Sequence, residues 1–302
     1  MPVVMDFKGQ FPQELFRPYV VLSGASTVQT KAAVIVLDTG YSGGLAMAPG
    51  LRAKTAIPEK GVALKIMPLS AIDRPSNPIV ESSIVDTNAA PAVTLRVDVA
   101  VRNEGRNYNV LSIGFLKANN WVGVLLPGAQ PRYPIHIEKS GLEEMKIGLY
   151  STDVQFFPRQ QMEEQAGGFF HVPITWGGES GDAQPFLRTA ILGPKGGPEM
   201  PFLWDTGCNL NQIDPDLARE LGLESEERCG EDVVVLPEVS LLALGKQKLK
   251  FKNVPCIVGT GSPDGITIGS ALLGQFAEIV LCTKVGARDG LHFSFRLKPE
   301  PQ

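Results

Sequence analysis

Two stretches, AAVIVLDTG (residues 32–40) and MPFLWDTG (residues 200–207), end in the same three residues, Asp38-Thr39-Gly40 and Asp205-Thr206-Gly207, each directly after an apolar run. Working outward, the first is preceded by PYVVLSG (18–24) and the second by PFLRTAILG (185–193). Downstream lie VLSIGFL (110–116) and ITIGSALL (266–273), whose glycines Gly114 and Gly269 follow the respective aspartates by 76 and 64 residues. Each half therefore reads as strand, turn, strand, Asp-Thr-Gly, a variable stretch, then an apolar segment with glycine leading into a short helix. By average residue usage, Asp-Thr-Gly is expected roughly 0.05 times in a chain this long, so two copies at repeat-equivalent positions are not a chance pair. Two copies of one topology indicate duplicated halves, and a site shared between them is the simplest use of the duplication.

The chain has 302 residues, enough for two domains with their own cores. Lys plus Arg is 28 against 32 for Asp plus Glu, a net charge of −4, which argues against a nucleic-acid partner. Gly 32 and Pro 24 together approach a fifth of the chain, an excess that favours short strands and turns over long helices. Apolar runs at 19–22, 32–37, 93–101, 232–236 and 254–258 read as strands, with period-two alternation clearest over 94–101. The best helix is 214–223, with Asp214 as N-cap, Pro215 at the first helical position, Leu217 and Leu221 on one face and Gly222 ending it. The polar FPRQQMEEQAGG (157–168) reads as a linker, giving an N-terminal lobe 1–156 and a C-terminal lobe 169–302.

No run of 18 apolar residues occurs, so no membrane partner is expected. The N-terminus is broken by Asp6, Lys8, Gln10 and Pro12 before any apolar run forms, so a cytoplasmic location is expected. Cys208, Cys229, Cys256 and Cys282 form no CxxC and have no His at ligand spacing, which leaves no metal site; reduced thiols are the first reading and two disulfides the second.

An Asp-Thr-Gly turn places a carboxylate at the end of a buried strand. Its glycine admits a second backbone at close range, and its threonine hydroxyl can reach across a pseudo-two-fold axis. Two such turns set two carboxylates face to face, where like charges cannot both ionise and the pair shares a proton. One member then serves as general base on a water and the other as general acid.

At these residues the sequence resembles the aspartic protease superfamily of pepsins and retropepsins, in which such an aspartate pair shares a proton. The second half looks especially retropepsin-like in TAILGPKGGPEMPFLWDTG, CNLNQIDPDLARELGL and NVPCIVG…DGITIGSALLGQF. The resemblance implies a mainly β fold of two pseudo-symmetric acid-protease barrel lobes with a few short helices. It implies catalysis by Asp38 and Asp205, support from Thr39, Gly40, Thr206 and Gly207, a peptide or protein substrate, and no cofactor or metal. It also implies an active monomer and a hairpin flap, for which 61–77 is the candidate. The chain departs from the pepsin pattern after each triplet: Tyr41 and Cys208 stand where Ser or Thr is usual, so a hydroxyl donor to the neighbouring carboxylate is missing or comes from Ser42. Less depressed pKa values and a mildly acidic optimum, about pH 4.5–6.5, are expected. Trp204 is bulkier than the residue usual before the second aspartate.

Two other readings compete. The same fold could serve as a non-catalytic peptide-binding module. Gly40-Tyr41-Ser42-Gly43-Gly44 also matches the GxSxG nucleophile-elbow pattern, which needs a helix immediately afterwards. Pro49-Gly50 follows too soon, and His136, His171 and His292 are the only histidines to serve as a base. Asp86-Thr87-Asn88 resembles a third triplet but lacks the glycine and reads as a turn.

Overall fold

In the computed structural model, the residues described are 3–25, 31–61, 63–71, 83–86, 93–95, 99–102, 109–127, 134–138, 147–164, 166–177, 184–259 and 265–299. Strands dominate them, and the helices are single turns such as Pro49–Lys54, Gly114–Ala118 and Pro215–Glu220. The architecture is mainly β with barrel-like halves, as the glycine- and proline-punctuated apolar runs imply.

The repeat is visible in the strand pairing. In the first half, Glu14–Gly24 pairs antiparallel with Lys31–Asp38, and Val110–Ser112 lies parallel to its end, with Ser112 level with Asp38. In the second half, Gln184–Leu192 pairs antiparallel with Glu199–Trp204, and Ile266–Ile268 lies parallel to it, with Ile268 level with Trp204. Lys31–Asp38 is a nearly continuous apolar run because it has neighbours on each side and is buried on both faces, whereas in Glu199–Trp204 only Phe202, Leu203 and Trp204, next to the aspartate, are buried.

The expected helix is present as Pro215–Glu220. Asp214 caps it by accepting from the Asp216 and Leu217 amides at 2.8 and 3.3 Å, Ala218 and Leu221 face the core, and Gly222 leaves it at φ +71°. The strand expected over 93–101 appears as Val93–Leu95 and Val99–Arg102, and the residues between lie outside the described set. Of the candidate flap, Leu64–Pro68 is a strand paired on one side with Glu14–Gly24 and on the other with Val93–Leu95, so that part is built into the sheet. Residues 62 and 72–77 lie outside the described set.

Away from the aspartate turns, paired strands and an arginine clamp join the halves. Trp121–Leu126 pairs with Phe276–Val285, Val124 opposite Val280, so one sheet carries strands of both. The N-terminal strand Val3–Asp6 crosses to the second half and lies parallel to Lys248–Val258. Arg159, just past the end of Ile147–Pro158, donates to the carbonyls of Leu116, Trp121 and Cys282 at 2.7–3.0 Å and to Asn120 Oδ1 at 3.0 Å, tying the first half to a bulged strand of the second. The core is correspondingly shared: Leu37, Phe16 and Leu116 belong to one buried cluster with Trp204, Phe276 and Phe295. Among the described residues no helix is long and apolar enough to cross a membrane.

Candidate active site

Each aspartate ends a buried strand, and the turn after it holds the carboxylate with its own backbone. Gly40 N donates to Asp38 Oδ1 at 2.8 Å, and Gly207 N donates to Asp205 Oδ1 at 2.8 Å. These are local bonds that an Asp side chain makes two residues on, and they aim both carboxylates the same way relative to their strands.

The two turns interlock. Thr39 N donates to Thr206 Oγ1 at 3.1 Å and Thr206 N donates to Thr39 Oγ1 at 3.0 Å. Each hydroxyl then passes its own proton across: Thr206 Oγ1 donates to Leu37 O at 2.6 Å, and Thr39 Oγ1 to Trp204 O. Both threonines are fully buried, so every donor and acceptor in this knot needs a partner and has one.

The interlock brings each glycine onto the other half's carboxylate. A Cβ on Gly40 would lie 2.3 Å from Asp205 Cγ, and a Cβ on Gly207 would lie 2.3 Å from Asp38 Oδ2. Glycine is required at both positions by close approach, since any side chain would push the carboxylates apart. The two acids lie within hydrogen-bonding reach of each other. Burial first, then the charge and hydrogen bond of Asp205, push the Asp38 carboxyl well above its ordinary value.

Beyond the triplets the turns differ. Cys208 N adds a second donor to Asp205 Oδ1 at 3.2 Å, so backbone takes the place of the absent hydroxyl. The Cys208 thiol points instead to Leu210 O at 3.0 Å, and burial together with Asp205 pushes it up to about 12, which keeps it protonated. All four cysteines are free. Trp204 is buried beneath the second turn with its ring 5.0 Å from Phe295 and 6.2 Å from Phe276, so its bulk is absorbed by an aromatic cluster.

Two side chains not singled out in the sequence reach the same turns. Arg17 Nη2 donates to Gly207 O at 2.9 Å, and Gln184 Nε2 donates to Gly40 O. Both stand 21 residues before their aspartates and directly before a proline, a spacing that extends the repeat by one residue upstream of Pro18 and Pro185.

The GxSxG match does not form an elbow. Gly44 leads into the short strand Leu45–Ala46, and the following helix begins only at Pro49. His171 and His292 are buried in the second half, where His171 bonds Ser294 at 2.7 Å. The side chain of His136 lies outside the described set, and of Asp86-Thr87-Asn88 only Asp86 is described, at the end of Ile84–Asp86.

No family model and no curated protein matches the chain. Among solved structures it is similar to the aspartic proteinase from Irpex lacteus, with a TM-score of 0.50 and 13% identity over 93% of this chain and 96% of that one. The fold is that of an aspartic protease. A retropepsin-like aspartic protease from Rickettsia conorii matches 43% of this chain and 90% of its own at 19% identity and a TM-score of 0.28. Basic 7S globulin from soybean matches over 92% and 94% at 12% identity and a TM-score of 0.42. At such identities the likeness to aspartic proteases concerns the fold alone.

Proposed function

We propose that this chain is an aspartic endopeptidase that hydrolyses peptide bonds with a water activated by Asp38 and Asp205. The observation that carries the reading is the reciprocal seating of Gly40 on the Asp205 carboxylate and Gly207 on that of Asp38, fixed by the Thr39–Thr206 knot. A structural turn needs no second carboxylate at that distance, and two like-charged acids held together without a task are costly.

The roles follow from the local bonding. Asp38, held well above its ordinary value by burial and by its neighbour, is assigned the shared proton, and Asp205, whose Oδ1 accepts from the Gly207 and Cys208 amides, is assigned the part of the base. Asp205 takes a proton from the water as it attacks the peptide carbonyl carbon, while Asp38 gives its proton to the carbonyl oxygen. The product is a neutral tetrahedral diol. The carboxylate of Asp38 then takes back a hydroxyl proton as the C–N bond breaks, and Asp205 passes its proton to the leaving nitrogen, which restores the starting state. The substrate is a peptide or protein lying extended between the halves, and because both acids come from one chain, a monomer is sufficient. A mildly acidic optimum, about pH 4.5–6.5, fits an acid held above its ordinary value.

Cleavage of a broad peptide library between pH 3 and 7 tests this, with Asp38→Asn and Asp205→Asn as controls and pepstatin and a serine-directed reagent as probes. Cleavage by wild type, none by either variant and indifference to the serine reagent is the expected pattern. Cleavage that survives both substitutions, or no cleavage at any pH, overturns it; the second outcome favours a peptide-binding module.

A further inference from the structure

We propose that Arg17 is a positioning residue that sets the pH window of the Asp38–Asp205 pair, by holding one positive charge beside it from a position where the other half carries the neutral Gln184. This rests on the peptidase reading above and adds to it the group that tunes the pair.

The argument begins with register. Glu14–Gly24 pairs with Lys31–Asp38 so that Tyr19 lies opposite Val36, and two residues further the same register brings Arg17 level with Asp38. Gln184–Leu192 pairs with Glu199–Trp204 so that Phe186 lies opposite Leu203, and two residues further brings Gln184 level with Asp205. The strand period of two keeps each on the same side as the pair before it. Pro18 and Pro185, which follow, hold the preceding residue extended and cannot donate to the ladder, while Arg17 and Gln184 stay paired with a further strand, opposite Ser151 and Gly177.

From these matched positions each side chain crosses to the opposite half's turn: Arg17 to Gly207 O at 2.9 Å, Gln184 to Gly40 O. The receiving glycines are the two that touch the opposite carboxylates, so both donors end one residue from the proton-sharing pair. Geometrically the two are equivalent. Electrically they are not, because one is a permanent cation and the other an amide.

Among the described residues, the charged side chains bearing on Asp38 are Asp205, which raises its proton affinity, and Arg17, which lowers it; the Cys208 thiol beside Asp205 stays neutral. Arg17 is half-buried, where a unit charge is less screened than at the surface. Its consequence is a limit: burial and Asp205 together drive Asp38 up, and Arg17 keeps the pair a monoanion rather than letting it gather a second proton at mildly acidic pH.

The test is a titration that does not depend on turnover. The carboxyl carbons of 13C-aspartate-labelled wild type, Arg17→Gln, Arg17→Lys and Gln184→Arg are followed by NMR from pH 3 to 8, with kcat/KM profiles on the same proteins. Arg17→Gln makes the two halves alike and is expected to move both apparent pKa values of the pair up by about one unit. Arg17→Lys keeps the charge and should leave them in place, while Gln184→Arg should move them down. Amide spectra of the same samples report whether each variant is folded. If Arg17→Gln is folded and its carboxyls titrate with those of wild type, the proposal is overturned, and Arg17 is only a strut. If it does not fold, Gln184→Arg decides: an unmoved pair overturns the proposal. A wild type that cleaves nothing defeats the peptidase reading while the carboxyl titration still decides the part played by Arg17.

Discussion

The two aspartate turns occupy equivalent places and are built from different material. The first is backed by Leu37 and an aliphatic strand, holds its carboxylate with one backbone amide, and is crossed by the neutral Gln184. The second is backed by Trp204 and an aromatic cluster, holds its carboxylate with two amides, and is crossed by Arg17. What the halves share is position: strand register, the threonine knot and the glycine contacts. What differs is the bonding around each carboxylate and the charge of the side chain that crosses to its turn. Duplication supplies two carboxylates at one place, and on the peptidase reading the unlike groups around them are what would separate acid from base.

The largest effect that bears on this comparison is loss of either acid. On the peptidase reading Asp38→Asn removes the proton donor and Asp205→Asn the base, and each should lower kcat/KM by about 10²–10⁴-fold with the fold retained. One variant keeping near wild-type rates would break the assignment of a shared role.

Next come the supports under each turn. Trp204→Ala should cost about 3–5 kcal/mol and Leu37→Ala about 2–5 kcal/mol, read from urea unfolding, because both side chains are fully buried and leave cavities. Trp204→Phe sharpens the point. The Trp204 Nε1 is buried without a hydrogen-bond partner among the described residues, so Phe gives up packing area but no bond and should cost much less than Ala.

Smaller again is the knot between the turns. Thr39→Val and Thr206→Val each keep the shape and remove a hydroxyl that both accepts and donates, with an expected cost of about 1–3 kcal/mol each. Because the two hydroxyls serve each other's backbone, the double variant should cost less than the sum, and strict additivity in a double-mutant cycle would show that the turns are held separately.

The paired strands, both triplets and the capped helix at Pro215–Glu220 were legible because each is written locally: apolar run, turn residue, cap. Arg17 and Gln184 were written just as plainly, 21 residues before each aspartate, and escape a reading that begins the repeat at Pro18 and Pro185. The crossing of Val3–Asp6 to the second half and the carbonyl clamp of Arg159 have no such signature. A four-residue strand does not state its partner, and a polar residue in a polar stretch does not show that it will find three carbonyls. Trp204 looks anomalous beside its own triplet and ordinary once Phe276 and Phe295, distant in sequence, are packed against it.

The smallest expected effect separates the site from the sheet that joins the halves. In that sheet Thr283 Oγ1 donates to His292 O, so the Thr283–Ser294 bond is donated by Ser294, and His171 Nδ1 must then be the donor to Ser294. Burial pushes both histidines below their ordinary value of 6.5. The Glu163 carbonyl and the Glu164 carboxylate oppose this for His171; for His292, His171 and Arg288 add to it, while the Thr283 backbone and Glu164 oppose it. Neutral histidines of this kind contribute stability above pH 6.5 that is lost as pH falls through their folded values, because the unfolded chain takes up the proton first. Asp38 has the opposite sign: its raised value contributes stability below its ordinary 3.8 that is lost as pH rises through the folded value. Between these limits the two slopes oppose each other. Asp38→Asn should therefore raise Tm at pH 7 with little change at pH 4, whereas His171→Asn, which can still donate to Ser294, should flatten the fall in Tm below pH 6.5. Parallel Tm–pH curves for wild type and both variants would mean that neither the carboxylate pair nor the histidines govern the acid response of the fold.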